Sequence, residues 1–374
     1  MEQFLEEIDL ILELLSQAHW TDFLMIGLGY AIILAGLMSQ WKQKRCPPFY
    51  NYVWLVIFPP VGIYLIQRNR KIKRKDKKRI TYAVMTGWFI LISSVFIYVG
   101  WVPKPEYQPT IYDSDIALQK RPAGQKLEVH FIDIGQGDAT LIVYDDFHIL
   151  IDGGNNGSET ILLDYLQQVG VDDLEMVIAT HPDADHIGGL PEVLEKYRVH
   201  LIIDSGEPHT SQTYKAYLKQ VQAQQAAGAQ YLEDDDLMFY LADDITLEII
   251  ETGDDNGDRN NNSVVAKLSY GDIDFLFTGD MESSTEQKIL ARDLEAEILK
   301  AGHHGSKTSS SLAFLQEVQP EVVVISAGKN NSYGHPHQTL LDRLYRYTDE
   351  IYVTYEMGTI IVSTDGEGYE ISLK

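Results

Sequence analysis

The chain has 374 residues, enough for two folded units. Its single cysteine, Cys46, excludes an intramolecular disulfide and a thiolate metal cage, so any metal site must be built from nitrogen and oxygen ligands. Residues 1–110 carry 13 Lys and Arg against 8 Asp and Glu, whereas residues 111–374 carry 17 against 47. So acidic a second part repels nucleic acid, which counts against a high-affinity DNA binder but not against an enzyme whose metals bridge to phosphate.

Three apolar segments without charges come first: "FLMIGLGYAIILAGLMSQW" (Phe23 to Trp41), "CPPFYNYVWLVIFPPVGIYLIQ" (Cys46 to Gln67) and "ITYAVMTGWFILISSVFIYVGWVP" (Ile80 to Pro103). A bilayer span needs about 20 mostly apolar residues, and the first and third qualify. Pro59 and Pro60 break the second, which reads either as a kinked span or as a re-entrant hairpin. The basic loops on either side of it, Lys42, Lys44 and Arg45 before and "RNRKIKRKDKK" after, prefer the cytoplasm. That places the acidic N-terminus and the large C-terminal unit outside the cell membrane. Residues 1–103 are therefore expected to be a small helical membrane module, and the proline-bearing stretch 104–125 a linker.

From Lys126 to Lys374 short strands and helices alternate. "LEVHFIDI", "ATLIVYD" and "HILIDGG" read as consecutive strands with Gly-rich turns. "SETILLDYLQQVG" reads as a helix with Ser158 as cap and Gly170 as stop. "EMVIATH" and "VHLIIDSG" read as strands, "TYKAYLKQVQAQQAA" as a helix, and "SVVAKLSYGDIDFLFTGD" as a hairpin. "EVVVISAG" is a further strand, a helix is expected near 338–346, and closing strands run through "IYVTYEMGTIIVSTDG". The mixture predicts an α/β unit of two sheets flanked by helices.

Polar clusters follow the apolar strands, where loops converge on a rigid scaffold. They are "FIDIGQGDA" with Asp138, "LIDGG" with Asp152, "THPDADH" with His181, Asp183, Asp185 and His186, "FTGD" with Asp280, "GHHGS" with His303, His304 and Ser306, and "YGHPH" with His335. One polar turn after a strand is commonplace. Six at strand ends, one with four ligand residues in six positions, point to a site for divalent metal built from imidazole and carboxylate.

These motifs, together with "RNNNSVV", resemble the metallo-β-lactamase superfamily and, in their order, the hydrolase domain of the DNA-internalisation competence protein ComEC; the likeness covers residues 126–374. The resemblance implies an αββα sandwich with two divalent metal ions, Zn²⁺ or Mn²⁺, at one edge of the sheets. It assigns His181 and Asp183 to one metal and Asp185 and His186 to the other, with Asp280 bridging and either His303 or His304 completing the second. Asp185 and His335 are the expected catalytic residues, the latter as a general acid for the leaving oxygen or as a phosphate contact. Asp138 and Asp152 are candidates for orienting the ligands, with turn and cap carboxylates as the rival reading. Asn262, Ser306 and Lys307 are further candidates for supporting the ligands or touching substrate. Asp183 stands where many members have histidine, and "NNNS" replaces a stretch that often carries a ligand histidine, so the site is richer in oxygen and shifts toward Mn²⁺.

The implied function is a membrane-anchored, metal-dependent hydrolase of phosphodiesters, with DNA or a smaller phosphodiester as substrate and the lipid bilayer as partner. A non-catalytic metal-binding membrane partner of a DNA-uptake or envelope complex is the alternative. The departures from the nitrogen-rich ligand set argue against β-lactam hydrolysis.

Overall fold

The computed structural model describes residues 110–111, 126–253 and 258–374. The chain separates into two compact units, Met1–Glu106 and Tyr107–Lys374, and the described residues belong to the second. The three apolar segments expected to form a membrane module lie outside the described residues. Among the described residues, no helix is long and apolar enough to cross a membrane.

Among the described residues, sixteen strands form two eight-stranded sheets. The first is built mainly by the leading half of the unit: β2 (Leu127–Phe131), β3 (Thr140–Tyr144), β4 (Phe147–Ile151), β5 (Leu174–Ala179), β6 (Val199–Asp204) and β7 (Gln230–Glu233). Two C-terminal strands, β15 (Ile360–Thr364) and β16 (Tyr369–Leu373), complete it beside β2. The second sheet runs in the order β1 (Thr110–Ile111), β8 (Leu237–Tyr240), β9 (Ile245–Ile250), β10 (Val265–Tyr270), β11 (Ile273–Phe277), β12 (Ile298–Lys300), β13 (Val322–Ile325) and β14 (Glu350–Val353). In each sheet one part is mainly antiparallel and one run is parallel, β4 to β7 in the first and β11 to β14 in the second, with β1 also parallel to β8.

The sheets pack face to face, with helices on both outer faces. Strand β5 shows why the sequence does this. All six of its residues are buried. Met176 and Ile178 join the core between the sheets, while Leu174, Val177 and Ala179 join the core under the helices. A strand covered on both faces is apolar at nearly every position, because its side chains meet two cores; the exception, Glu175, accepts from the His148 backbone N–H at 2.8 Å. Helices α1 (Glu159–Val169), α3 (Leu190–Lys196) and α4 (Gln212–Ala226) cover the first sheet through Leu162, Leu166, Val193 and Val221. Helices α5 (Ser283–Ile289), α6 (Leu312–Val318) and α7 (Gln338–Leu344) cover the second through Ile289, Phe314, Leu315 and Leu340. The layers are therefore helix, sheet, sheet, helix, the expected αββα sandwich.

Two local expectations change. Ser158 precedes α1, but its hydroxyl accepts no helix N–H; it donates to Asn155 O at 2.5 Å. The stop at Gly170 holds, with a left-handed φ of 95°. The stretch expected as closing strands breaks in two. A short helix α8 (Thr354–Met357) separates β14 from β15, and those two strands lie in different sheets. The chain has to pass from one sheet to the other there, so a continuous strand is excluded.

Candidate metal centre

The motif-bearing loops all leave the same rim of the sandwich. Asp138 lies between β2 and β3, Asp152 follows β4, and His181 follows β5. A four-residue helix α2 (Ala184–Ile187) then turns Asp185 and His186 toward the rim. From the second sheet, Asp280 follows β11 and His303 and His304 follow β12. Backbone hydrogen bonds stitch the loops together: Asp138 N to Asp185 O at 3.0 Å, Gly154 N to Asp138 O at 2.7 Å, and Gly153 N to His186 O at 2.6 Å. Such contact between backbones explains two of the glycines. A Cβ on Gly137 would sit 2.4 Å from Asp185 O, and one on Gly188 would sit 2.3 Å from Asn156 N. Asp152, His303 and His304 are held at φ of 59°, 50° and 52°, a left-handed conformation that non-glycine residues adopt only when the surrounding structure imposes it.

Asp138, His186, Asp280 and His304 each offer a ligand atom, and these atoms all lie within 4.8 Å of one another. Asp280 is central. Its carboxylate is 3.2 Å from His186 Nε2, 3.5 Å from His304 Nε2, 3.6 Å from His303 Nε2 and 3.9 Å from His181 Nε2. Asp185 Oδ2 is 3.3 Å from His304 Nε2. The outer nitrogens of the two central histidines are engaged from behind. His186 Nδ1 donates to Asp152 Oδ2 at 2.7 Å, and His304 Nδ1 donates to Ser326 O at 3.1 Å. Asp152 is fixed in turn by the backbone N–H of Thr180 at 2.8 Å and its hydroxyl at 2.7 Å.

This wiring tests whether the residues suit a cation. With Nδ1 of both rings donating outward, the neutral rings present lone pairs at Nε2, and these face each other at 3.2 Å. The carboxylate oxygens of Asp280 and Asp185 face the same space. Only acceptors converge there. His181 Nε2, Asp138 Oδ1 and Asp280 Oδ1 are buried and make no hydrogen bond. Without a cation, protons must fill the role. Burial opposes a charged His304, but Asp280 and Asp138 outweigh it and raise its pKa to about 10. Burial opposes a charged His186 likewise, and Asp280 and Asp152 raise it well above its usual value. Asp280 is pushed the other way: burial alone would raise it, yet His304 and His186 hold it well below the carboxylate range. A divalent cation fits the place these protons occupy.

The other expected residues sit as follows. Of the pair left open, His304 enters the cluster. His303 lies at its rim, with Nδ1 on Glu282 Oε1 at 3.1 Å. Asp183 stays outside, in an ion pair with Arg259 Nε at 2.7 Å. His335 is buried against the rings of His303 and His304, at 5.5 and 6.4 Å, with Nδ1 making no hydrogen bond. Asn262 reaches Glu207 at 3.0 Å, Ser306 pairs with Thr308 at 2.8 Å, and the Lys307 backbone N–H donates to His337; none of the three joins the cluster. Sequence reasoning missed Thr180, Ser263, whose hydroxyl accepts from Asp280 N at 3.0 Å, Arg259, and Lys300, whose ammonium is 2.7 Å from Asp138 Oδ2. Lys300 alone left a signal: a lysine interrupting the apolar run "EILKAG" just before the paired histidines.

The family profile described as the metallo-beta-lactamase superfamily matches residues 132–329. The chain is 33% identical over 258 residues to ComE operon protein 3 of Bacillus subtilis, covering 62% of this chain and 32% of that protein. It is 34% identical over 364 residues to Recombination protein 2 of Haemophilus influenzae, covering 95% of this chain and 41% of that protein. The second alignment runs well upstream of residue 126, so likeness to Recombination protein 2 does not stop at the sandwich. The chain thus spans 32% and 41% of the length of these two curated relatives. Among solved structures it is similar to the metallo-beta-lactamase fold protein YhfI from Bacillus subtilis, at 13% identity and a TM-score of 0.44, covering 64% of this chain and 100% of that one. With more than half of its length matched by the profile, and the matched stretch forming the layered sandwich and its ligand-bearing rim, the chain belongs to the metallo-β-lactamase superfamily.

Proposed function

We infer that this protein is a metal-dependent hydrolase of phosphodiester bonds, held in a membrane by its N-terminal segments with the sandwich outside the cell. The observation that carries the reading is the convergence of His186, His304, Asp280 and Asp185 on one space that holds only acceptors. Divalent cations bound there supply Lewis acidity and an activated water. Asp185, His186 and His304 would hold one cation and His181 a second, with Asp280 within reach of both groups of ligands. Asp183 joins the second only if Arg259 releases it. Asp152 holds the His186 ring with its free nitrogen inward, and Thr180 holds Asp152.

The two roles open to His335 separate on physical grounds. Burial, with the neighbouring His303, His304 and His337, lowers its pKa to about 4. That direction favours a neutral ring that donates a hydrogen bond to a phosphoryl oxygen over a general acid. The names of the relatives, a ComE operon protein and a recombination protein, favour DNA as substrate. The strongly acidic composition favours a smaller phosphodiester.

The test is turnover by the purified full chain in detergent. Loaded with Mn²⁺ or Zn²⁺, it is expected to cleave single-stranded DNA or bis-p-nitrophenyl phosphate, and Asp185→Ala is expected to be inert. Metal that raises the melting temperature while no diester is cleaved would leave the non-catalytic alternative standing.

A further inference from the structure

Lys300 is a charge where the fold offers no reason for one. It is the last residue of β12, which lies between β11 and β13, with Lys300 in register with Phe277 on one side and Val324 on the other. Its side chain is 4% exposed. Interior parallel strands are normally unbroken runs of Val, Ile and Leu, and an ammonium buried there is costly unless paired. Its partner comes from the other sheet: Nζ is 2.7 Å from Asp138 Oδ2, on the loop between β2 and β3, and 3.1 Å from Ala301 O.

Asp138 is one of the four residues whose ligand atoms gather at the rim. It can do either of two things there. It can bind the cation directly, or it can face the back of a ligand histidine. Its free Oδ1 is 3.4 Å from His304 Nδ1, on the side of the ring away from the cluster. Asp152 stands on the same side of His186, but there it takes the ring's hydrogen bond, whereas His304 Nδ1 gives its hydrogen bond to Ser326 O and Asp138 adds a charge beside it. The supports differ. Asp152 is held by a hydroxyl and an amide of Thr180, both neutral, whereas Asp138 is held by a full positive charge.

We propose that Lys300 is a positioning residue that binds Asp138, keeps it behind His304 rather than on the cation, and so sets how tightly the centre holds metal. The inference rests on the reading of the cluster as a cation site. The ammonium cancels one of the buried carboxylate charges around that space and denies the cation one oxygen. Removing it frees both.

The test is cation affinity, measured by chelator competition with Mn²⁺ on the full chain in detergent. Lys300→Met, which keeps the length and removes the charge, is expected to bind Mn²⁺ about tenfold more tightly than the unmodified chain, while turnover falls because His304 Nδ1 loses the carboxylate beside it and keeps only Ser326 O. Asp138→Asn is expected to erase the difference: Lys300→Met added to Asp138→Asn should change affinity by less than about twofold. A purely structural lysine predicts the opposite, with affinity unchanged or weakened in Lys300→Met, and that result overturns the proposal. If Lys300→Met fails to fold, the comparison of Asp138→Asn with the double variant decides alone, since a further change in the double variant means Lys300 does not act through Asp138. An unmodified chain that binds no Mn²⁺ sinks the cation site itself as well. Binding that is intact but indifferent to Lys300 sinks only the present inference.

Discussion

Two buried histidine neighbourhoods in the same sandwich lead opposite lives. His130, in the middle of β2, has both ring nitrogens answered: Nδ1 by the Tyr165 hydroxyl at 2.9 Å and Nε2 by Glu128 at 3.1 Å. Burial dominates there and lowers its pKa, so it packs as a neutral ring. His304, equally buried, is raised to about 10 because Asp280 and Asp138 overcome the same burial. Each neighbourhood combines imidazole with carboxylate. What separates them is whether donors and acceptors balance. Around His130 they do; around His186 and His304 acceptors outnumber hydrogens, an imbalance that added protons or a cation would restore.

The sharpest way to break that contrast is Asp280→Ala. It removes the oxygens that face His181, His186, His303 and His304, and is expected to lower diester turnover by roughly three orders of magnitude or more, since several kcal/mol of transition-state stabilisation depends on the metals. Metal content by elemental analysis should fall with it; full turnover in this variant would refute the site. Next is Asp152→Asn, which loosens the His186 ring without touching the cation and should weaken metal affinity about 10- to 100-fold in a chelator titration.

Acidity sharpens the contrast from another side. In chelated protein His304 has a folded pKa of about 10, above its ordinary 6.5. Its stabilising contribution is therefore fully present below about pH 6.5 and is lost as pH rises toward 10. The melting temperature of chelated protein should drop over that window and that of metal-loaded protein should drop less. Loading at pH 7 should also release protons, read by calorimetry in two buffers of different ionisation enthalpy. The smallest effect belongs to the balanced neighbourhood. His130→Leu should cost about 1–3 kcal/mol of unfolding free energy by stranding Tyr165 and Glu128, with metal content unchanged.

Most of the rim was legible from sequence because strand periodicity announces where strands end, and ligand residues cluster just beyond. The run "EMVIATH" read as a buried strand, and its end delivered His181. Partners distant in sequence were not legible. Asp138 and Lys300 are 162 residues apart and meet only because the two sheets stack. Asp183 sits in the motif like its neighbours, yet Arg259, 76 residues on, draws it away. Nothing in "GHHGS" distinguishes its two histidines; the choice falls to His304 through a carbonyl on β13's exit, Ser326 O. The closing strands β14 and β15 were legible, but not that they join different sheets, because local propensity carries no information about which sheet a strand will join.

Strand β1 has a practical bearing. Thr110 and Ile111 pair in parallel with Leu237 and Met238, capping the open side of β8 at the margin of the second sheet. A version shortened to begin at residue 126 would bare that backbone, with Tyr240 already turned to water, and unpaired margins invite copies to zip together. Trimming ahead of Thr110 instead keeps the hem sewn.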